Sequence, residues 1–273
     1  HSPIISCWTC FIYFQFTKNK LKTSPRLLII TIYFMNSVVN KIKREMKQKK
    51  ACMLLYGNDE KQRNNDCNYV FRQESNFYYV TKYNYPDAKA LITDDKFILF
   101  INKLSETEMR WNGRVPNEQK VLEQTGADQV HSLQDFDNKC RELLSGCNYM
   151  FCNLFSLNQC QYFEIKKTLS HVTTFESIKT ILTPMRLIKS MDEIKQTRLA
   201  TKTTKKAFSL VSSFLSKQSP KTSKKESDID AMVIGTYISN QGCEGYRNIV
   251  ACGNNATCLH YTMNNDFLKY GSL

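Results

Sequence analysis

The sequence feature that most restricts the possible folds of this chain is a pair of short apolar runs joined by a polar turn. Residues 88–92 and 96–101 flank Asp94-Asp95, and this arrangement predicts an antiparallel β-hairpin. A third run, residues 51–56 (ACMLLY), ends at Gly57-Asn58 and predicts a buried strand followed by a turn. We therefore expect a sheet in the first half of the chain.

Helical patterns lie on both sides of these strands. Residues 36–48 place four apolar side chains on one face of an amphipathic helix: Val38, Val39, Ile42 and Met46. The same spacing before Ser145-Gly146 predicts another helix through Phe136, Cys140, Leu143 and Leu144. Residues 77–81 (FYYVT) and 148–154 predict further strands, and residues 59–76 predict a loop. Together these elements predict a mixed α/β domain over residues 36–176.

Residues 177–273 are expected to begin a second domain. Ser190 stands before Asp192-Glu193, which suits a helix start because serine caps free backbone N–H groups and acids favour that end. Its apolar stripe runs through Phe208, Val211 and Leu215 until Pro220, and a second helix is expected over residues 227–237. Residues 246–251 and 257–261 predict two strands joined by Gly253-Asn254-Asn255. Two helices and one hairpin are too few to close a core of their own.

The first 35 residues predict an extension without a folding role. The chain begins with His1, and Met35 is the expected natural start. The apolar runs 4–16 and 27–34 are shorter than the roughly 18 residues that a membrane-spanning helix needs. We therefore expect no membrane partner, with a weak membrane anchor as the alternative.

The net charge of +13 does not identify a partner. Residues 1–50 carry a net +9 and residues 201–225 a net +7, whereas the other 198 residues carry a net −3. The lysines near Phe208 and Phe214 would suit a basic, aromatic nucleic-acid surface. The simpler interpretation puts the lysines on the solvent face of a helix and both phenylalanines in the core, so no nucleic-acid partner is expected.

The eleven cysteines show neither a disulfide framework nor zinc-ligand spacing. Only Cys7 and Cys10 form a CxxC pair, and that pair lies in the expected extension. Reduced cysteines that act as small buried side chains, and hence a cytoplasmic location, are the expectation. The sequence also lacks the glycine-rich nucleotide-binding motifs, the GxSxG nucleophile motif and the HExxH zinc motif.

Several segments in fixed order resemble one known family. Residues 63–66 (RNND) and 71–79 (FRQESNFYY), followed by Pro86-Asp87, are similar to the N-terminal domain signature of aminopeptidase P, the Xaa-Pro aminopeptidases. Residues 108–114 (EMRWNGR) resemble the Trp-x-Gly-Arg segment of that family. Residues 185–194 (MRLIKSMDEI) and 249–261 (IVACGNNATCLHY) are similar to the opening and the first hairpin of its catalytic domain.

The resemblance implies a fold and an activity. The fold is a creatinase-type N-terminal α/β domain with a mixed sheet, followed by the incomplete start of a pita-bread α+β catalytic domain. The activity is that of a metallopeptidase that uses two divalent ions, commonly manganese, to remove an N-terminal residue preceding proline. Peptides with proline in the second position are then the substrates, and a homo-oligomer is the implied assembly.

The same resemblance implies two site residues and no metal ligand. His260 is expected to hydrogen-bond the substrate or the transition state, and Trp111 to reach a neighbouring subunit's site. The family's metal ligands follow the stretch that Gly271-Ser272-Leu273 matches, so this chain alone is expected to be inactive. Met263 departs from the family's usual glutamate, whereas Asn264 matches. A non-catalytic creatinase-like module that binds peptides or proteins is the alternative.

Overall fold

A computed structural model describes residues 38–153, 157–217, 219 and 223–271. The expected extension, with Cys7, Cys10 and Met35, lies outside these residues, and so does Pro220. The chain divides into two compact units, the first ending at Ile188 and the second running from Lys189 onward. The domain limits expected at residues 36, 176 and 177 stay predictions.

A six-stranded mixed sheet forms the centre of the first unit. The strands are, in chain order, β1 (Cys52–Tyr56), β2 (Gln62–Asn64), β3 (Cys67–Asn68), β4 (Ala88–Ile92), β5 (Phe97–Ile101), β6 (Gln129–Ser132), β7 (Tyr149–Cys152) and β8 (Thr174–Ser177). Six of them lie in the order β6-β5-β4-β1-β7-β8, and β2 pairs with β3 alone. Strand β4 is antiparallel to both neighbours, while the other neighbours in the sheet are parallel. The predicted hairpin over residues 88–101 and the strands near 51–56 and 148–154 are confirmed.

Helices cover both faces of this sheet. They are α1 (38–49), α2 (Ser75–Thr81), α3 (Glu106–Asn112), α4 (Glu118–Thr125), α5 (Phe136–Leu143), α6 (Gln159–Thr168) and α7 (Lys179–Leu187). Successive side chains of a strand point to opposite faces, so Met53 and Leu55 pack with α1, α2, α4 and α7. Leu54 and Tyr56 pack with α5 and α6 on the other face. The α/β class with a mixed sheet is confirmed, as are the helices expected near 36–48 and 136–144.

The segment FYYVT forms the larger part of α2, so the predicted strand is wrong. The carboxylate of Glu74 accepts a hydrogen bond of 2.7 Å from the Phe77 backbone N–H and caps the helix. Phe77 and Val80, three residues apart, are both fully buried on one helical face. Capping and burial of that face outweigh the strand preference of aromatic and β-branched residues. The predicted loop before it also contains β2 and β3.

Two helices, α8 (Met191–Leu215) and α9 (Glu226–Ser239), pack together in the second unit. The Ser190 hydroxyl accepts the Glu193 N–H, and the Glu193 carboxylate accepts the Ser190 N–H, which confirms the predicted start of α8. A stripe at three- and four-residue spacing is buried: Ala200, Thr203, Ala207 and Val211. Phe208 is 38% exposed, so the expectation that it faces the core is wrong.

Residues 246–261 form no strands, which corrects the predicted hairpin. They run irregularly around one 3-10 turn, Gly253–Thr257. Within the described part of the chain no neighbouring strand pairs with this segment. Side chains accept hydrogen bonds from its backbone instead: Asn264 accepts the Val250 N–H, and Glu226 accepts the Cys252 N–H.

Candidate functional site

His260 lies in a turn of the second unit, and its side chain is exposed. Leu259 before it is 84% exposed, and Met263 just after it is 66% exposed. An imidazole can donate and accept hydrogen bonds through its two nitrogens. The turn therefore displays a group able to bind a peptide carbonyl or amide.

A buried carboxylate holds the backbone on both sides of this turn. Glu226, the first residue of α9, is fully buried and accepts four hydrogen bonds. The donors are Cys252 N (2.8 Å), Asn255 Nδ2 (3.1 Å), the Tyr261 hydroxyl (2.7 Å) and Asp266 N (3.0 Å). The cluster of Glu226 with these donors, here called the Glu226 cluster, fixes the chain that carries His260.

Electrostatics in the Glu226 cluster favour the ionised carboxylate. Burial opposes ionisation, but the hydrogen bonds from Tyr261, Asn255 and the two backbone N–H groups outweigh it and lower the pKa of Glu226. The same contact with the carboxylate raises the pKa of Tyr261. Tyr261 therefore stays a neutral donor and Glu226 a charged acceptor near neutral pH.

A second buried anchor lies beside the Glu226 cluster. Asn264 is 2% exposed, and its amide donates to the Asp230 carboxylate (3.1 Å) and to the Asn248 carbonyl (2.9 Å). Its side-chain oxygen accepts the Val250 N–H at 3.1 Å. Asn264 has a φ of 47°, a left-handed conformation that asparagine adopts more readily than most residues. An asparagine therefore suits position 264, because it makes these hydrogen bonds and adopts the left-handed backbone conformation.

Trp111 lies near the end of α3 in the first unit, and its side chain is 84% exposed. Ser105 and Glu108 cap the start of that helix reciprocally, and Gly113 follows it with a φ of 84°. Helix α3 has no buried residue, so Trp111 presents its aromatic surface to solvent. Its expected role at a neighbouring subunit stays a prediction, as does the role of His260.

The residues described here do not fit a pair of metal ions. No three His, Cys, Asp or Glu side chains among them are grouped so that they could hold one. We therefore derive no catalytic step through a metal.

Among the residues that the structure describes, no helix has both the length and the apolar character that a membrane span requires.

A pocket of about 280 Å³ lies in the first unit where the parallel strands end. Tyr56 and Gly57 at the end of β1 line it, with Lys89 at the start of β4 and the first turns of α6. Ligands of open α/β sheets bind in the crevice outside the carboxyl ends of the strands. This pocket occupies that position.

Charged side chains line two walls of the pocket. On one wall, Lys89 forms an ion pair with Glu164, whose carboxylate also accepts the Tyr56 hydroxyl at 3.0 Å. On the other wall, the pKa of Asp87 is raised, mainly by burial and secondly by the charge of the neighbouring Asp59. The Lys61 ammonium lies 3.7 Å from the Asp59 carboxylate, and the negative charge that remains on the two carboxyl groups would favour a cationic ligand such as an ammonium group.

Sequence reasoning missed most of these side chains. Lys89 carries a usable signal, because a lysine inside an apolar strand needs a charged partner. Its partner Glu164 lies 75 residues away, and nothing in the sequence pairs the two. The only sequence signal for Glu226 is the general preference for acidic residues at the start of a helix, here α9.

Residues 36–151 match the family model described as the aminopeptidase P, N-terminal domain. The chain is 28% identical over 233 residues to the Xaa-Pro aminopeptidase of Haemophilus influenzae, covering 83% of this chain and 52% of that protein. It is 22% identical over 228 residues to human Xaa-Pro aminopeptidase 3, covering 77% and 43%. The chain thus spans about half the length of the curated relatives that it matches.

Solved structures show the same fold. The aminopeptidase PepP of Pseudomonas aeruginosa superimposes with a TM-score of 0.76 at 22% identity, covering 87% of this chain and 57% of that one. Zinc-substituted Escherichia coli aminopeptidase P in complex with product gives 0.75 at 21% identity, with coverages of 89% and 57%. Such coverage necessarily includes residues of both compact units.

Proposed function

We propose that the protein to which this chain belongs is an Xaa-Pro aminopeptidase, because residues 36–151 match the aminopeptidase P, N-terminal domain model. The likeness to the Haemophilus influenzae enzyme supports this most, since it is long enough to run past the N-terminal domain into the second unit. The substrate class is a peptide with proline in the second position, and the product is the freed N-terminal residue. Manganese is the proposed metal of the whole protein. The cytoplasm is its proposed location.

His260 is the residue of this chain proposed to touch the substrate. Its exposed imidazole would hydrogen-bond the peptide near the scissile bond, and the Glu226 cluster would keep its turn in place. A hydrogen bond made in the transition state is worth about 10²-fold or more in kcat when it is removed. The structural contribution of His260 to folding is small, because its side chain is exposed.

The test uses the gene product that contains this chain, purified with manganese. Two peptides are compared that differ only in proline or alanine at the second position, and cleavage of the proline peptide alone is expected. H260A should lower kcat/KM for the proline peptide about 10²-fold, whereas L259A, a change at the exposed neighbour, should not. Equal cleavage of both peptides, or of neither, would refute the proposed function.

Trp111 is proposed to contribute to substrate binding across a homo-oligomer. Because its side chain is 84% exposed, W111A should leave the melting temperature unchanged while it raises KM for the proline peptide. Size-exclusion chromatography with light scattering measures the assembly in parallel. An unchanged KM in an oligomer of unchanged size would remove Trp111 from the site.

The pocket of the first unit supports a second candidate function, a non-catalytic module that binds peptides. Asp59 and Asp87 would receive a peptide's N-terminal ammonium there. The measurement is fluorescence anisotropy of a labelled peptide with a free N-terminus in EDTA, against its acetylated form. Metal-independent binding that D87N weakens and acetylation abolishes favours this candidate, and no binding in EDTA dismisses it.

A further inference from the structure

The solvent face of α8 carries a row of positive charges. Its members are exposed and follow one another at spacings of three or four residues, which places them on one side of the helix. They are, in chain order, Lys195, Arg198, Lys202, Lys205 and Lys206. At a rise of 1.5 Å per residue this α8 cation row is about 17 Å long. The buried stripe of α8 lies on the other side of the helix.

No acidic side chain of α8 stands within the row. The two acids of this helix, Asp192 and Glu193, are in its first turn, and Glu193 takes part in the cap. Among the residues that the structure describes, no ion pair includes a member of the α8 cation row. Like charges three and four residues apart on a helix repel each other. A bound polyanion would relieve that repulsion.

Other basic residues of the chain have partners within the fold. The Lys224 ammonium donates to the Phe214 carbonyl at 2.7 Å and lies 3.8 Å from the centre of the Phe214 ring. In α1, the Lys43 ammonium lies 2.7 Å from the Asp128 carboxylate. The α8 cation row differs from these lysines, because its charges point to solvent along the whole row.

An exposed aromatic ring adjoins the row. Phe208 is 38% exposed and stands three residues after Lys205, so the two side chains are neighbours on the helix surface. The expectation of no nucleic-acid partner depended on this ring lying in the core. Cations that follow a phosphate backbone, beside an aromatic ring on which a base can stack, are typical of proteins that bind single-stranded nucleic acids.

A membrane surface suits this helix less well. Helices that lie on a bilayer bury an apolar face among the lipids. The apolar stripe of α8 is instead buried within the second unit, where α8 packs with α9. The outward face offers charges for phosphate groups, with Phe208 at its side.

We propose that the α8 cation row binds a single strand of nucleic acid through its phosphates, with a base stacked on Phe208. Contacts to phosphates carry no sequence information, so strands of different sequence are bound alike. This inference goes beyond the proposed peptidase activity and does not depend on it.

The test measures fluorescence anisotropy of a labelled thymidine oligonucleotide with the gene product that contains this chain. The salt concentration is raised from about 50 to about 300 mM. Five phosphate contacts on a single strand predict that the logarithm of the association constant falls with the logarithm of the salt concentration, at a slope of about −3.5. No binding at the lowest salt concentration would overturn the proposal.

A pair of double variants locates the surface. K202Q/K205Q removes two contacts, so the slope should fall to about −2 and binding at low salt should weaken at least about tenfold. K120Q/K167Q removes the same charge from exposed positions in α4 and α6 of the first unit, and should leave both values unchanged. An equal loss in both variants would assign the binding to net charge and overturn the proposal.

F208L tests the stacking and keeps an apolar side chain at this position. It should weaken binding about tenfold without changing the slope, and an unchanged affinity would exclude the stacked base. Phosphatidylserine vesicles and a polyglutamate peptide serve as other anions, and stronger binding to either would overturn the choice of partner. Thermal melting verifies that the variants fold. Cleavage of the proline peptide is measured separately and should be unchanged in K202Q/K205Q, so failure of one proposal leaves the other standing.

Discussion

The Tyr261 hydroxyl donates a hydrogen bond of 2.7 Å to the Glu226 carboxylate, which is fully buried at the start of α9. This contact closes the segment that carries His260 onto the helix below it. The irregular backbone between Tyr246 and Tyr261 is therefore ordered by a charge on α9 rather than by a strand ladder. The stability of that segment should then follow the charge of one residue.

Replacing Glu226 with glutamine tests this dependence. The amide keeps the shape but turns one acceptor oxygen into a donor that faces other donors, so E226Q should destabilise the second unit by about 2 kcal/mol. Hydrogen exchange of residues 246–266 measures it locally, as a loss of protection. E244Q is the matched control. The pKa of Glu244 is raised, mainly by burial and then by the nearby charge of Asp230, so the fold does not favour its charged form. Neutralising Glu244 should therefore cost no stability. Equal protection in E226Q and the unaltered chain would contradict the assignment.

The stability of the second unit should also depend on pH through Glu226. Its pKa is lower in the folded chain than its ordinary value of 4.5, so the unfolded chain binds a proton more readily. The stabilisation is then present above pH 4.5 and is lost as the pH falls through the folded pKa. Thermal melts between pH 7 and pH 3 should show this loss in the unaltered chain, and a smaller one in E226Q. An identical acid dependence of both chains would exclude Glu226 as its source.

The Lys89–Glu164 pair should contribute more to stability than an exposed pair. The side chains are 15% and 30% exposed, and the Lys89 ammonium also lies 4.0 Å from the centre of the Phe136 ring. K89M removes the partner of a half-buried carboxylate and should cost about 2–3 kcal/mol. K103M breaks the pair with Glu118, at 53% and 45% exposure, and should stay within about 0.5 kcal/mol. Chemical denaturation measures both, and equal effects would show that burial does not set the cost.

The sequence patterns predicted the sheet well because burial on both faces leaves a direct trace in the residues. Strands β1 and β5 are apolar runs of five residues each, β4 is apolar except for Lys89, and turn residues follow all three. The FYYVT segment misled because its helix depends on the Glu74 cap and on packing partners elsewhere in the chain. Local residue preferences carry no record of such partners.

The candidate site was predicted less completely for the same reason. His260 and Trp111 were proposed because they stand in motifs that are contiguous in sequence, and their roles stay predictions. Glu226 reaches its donors over 26 to 40 residues, and that contact exists only after the chain has folded. A side chain whose role is to hold another segment leaves little local pattern.

Ser190 offers a test of one feature that the sequence did predict. Its hydroxyl accepts the Glu193 N–H at 3.2 Å and caps the 25-residue helix α8. S190A leaves that N–H without its acceptor and should cost about 1 kcal/mol of unfolding free energy. S212A, at an exposed position in the last turn of the same helix, should be neutral or stabilising by about 0.5 kcal/mol because alanine favours helices. A cost for S212A as large as that for S190A would argue against the cap.

Gly57 lies at the end of β1, where the backbone approaches β4 closely. A Cβ there would be 3.1 Å from the Ala88 carbonyl oxygen and 3.0 Å from the Gln73 side-chain oxygen. That Gln73 oxygen accepts the Asn58 N–H at 2.7 Å, and its amide donates to the Tyr85 carbonyl, so it has little freedom to move. G57A should therefore destabilise the first unit by about 1–3 kcal/mol through overpacking.

Gly146 is the matched glycine for this test. An added Cβ would meet no atom within 4 Å there, so G146A should be neutral or stabilise the chain by up to about 1 kcal/mol through the unfolded state. Urea denaturation of both variants gives the two free energies under identical conditions. A loss in G57A no larger than in G146A would show that β4 and Gln73 yield at this position, and the close approach at the pocket wall would then be a soft contact.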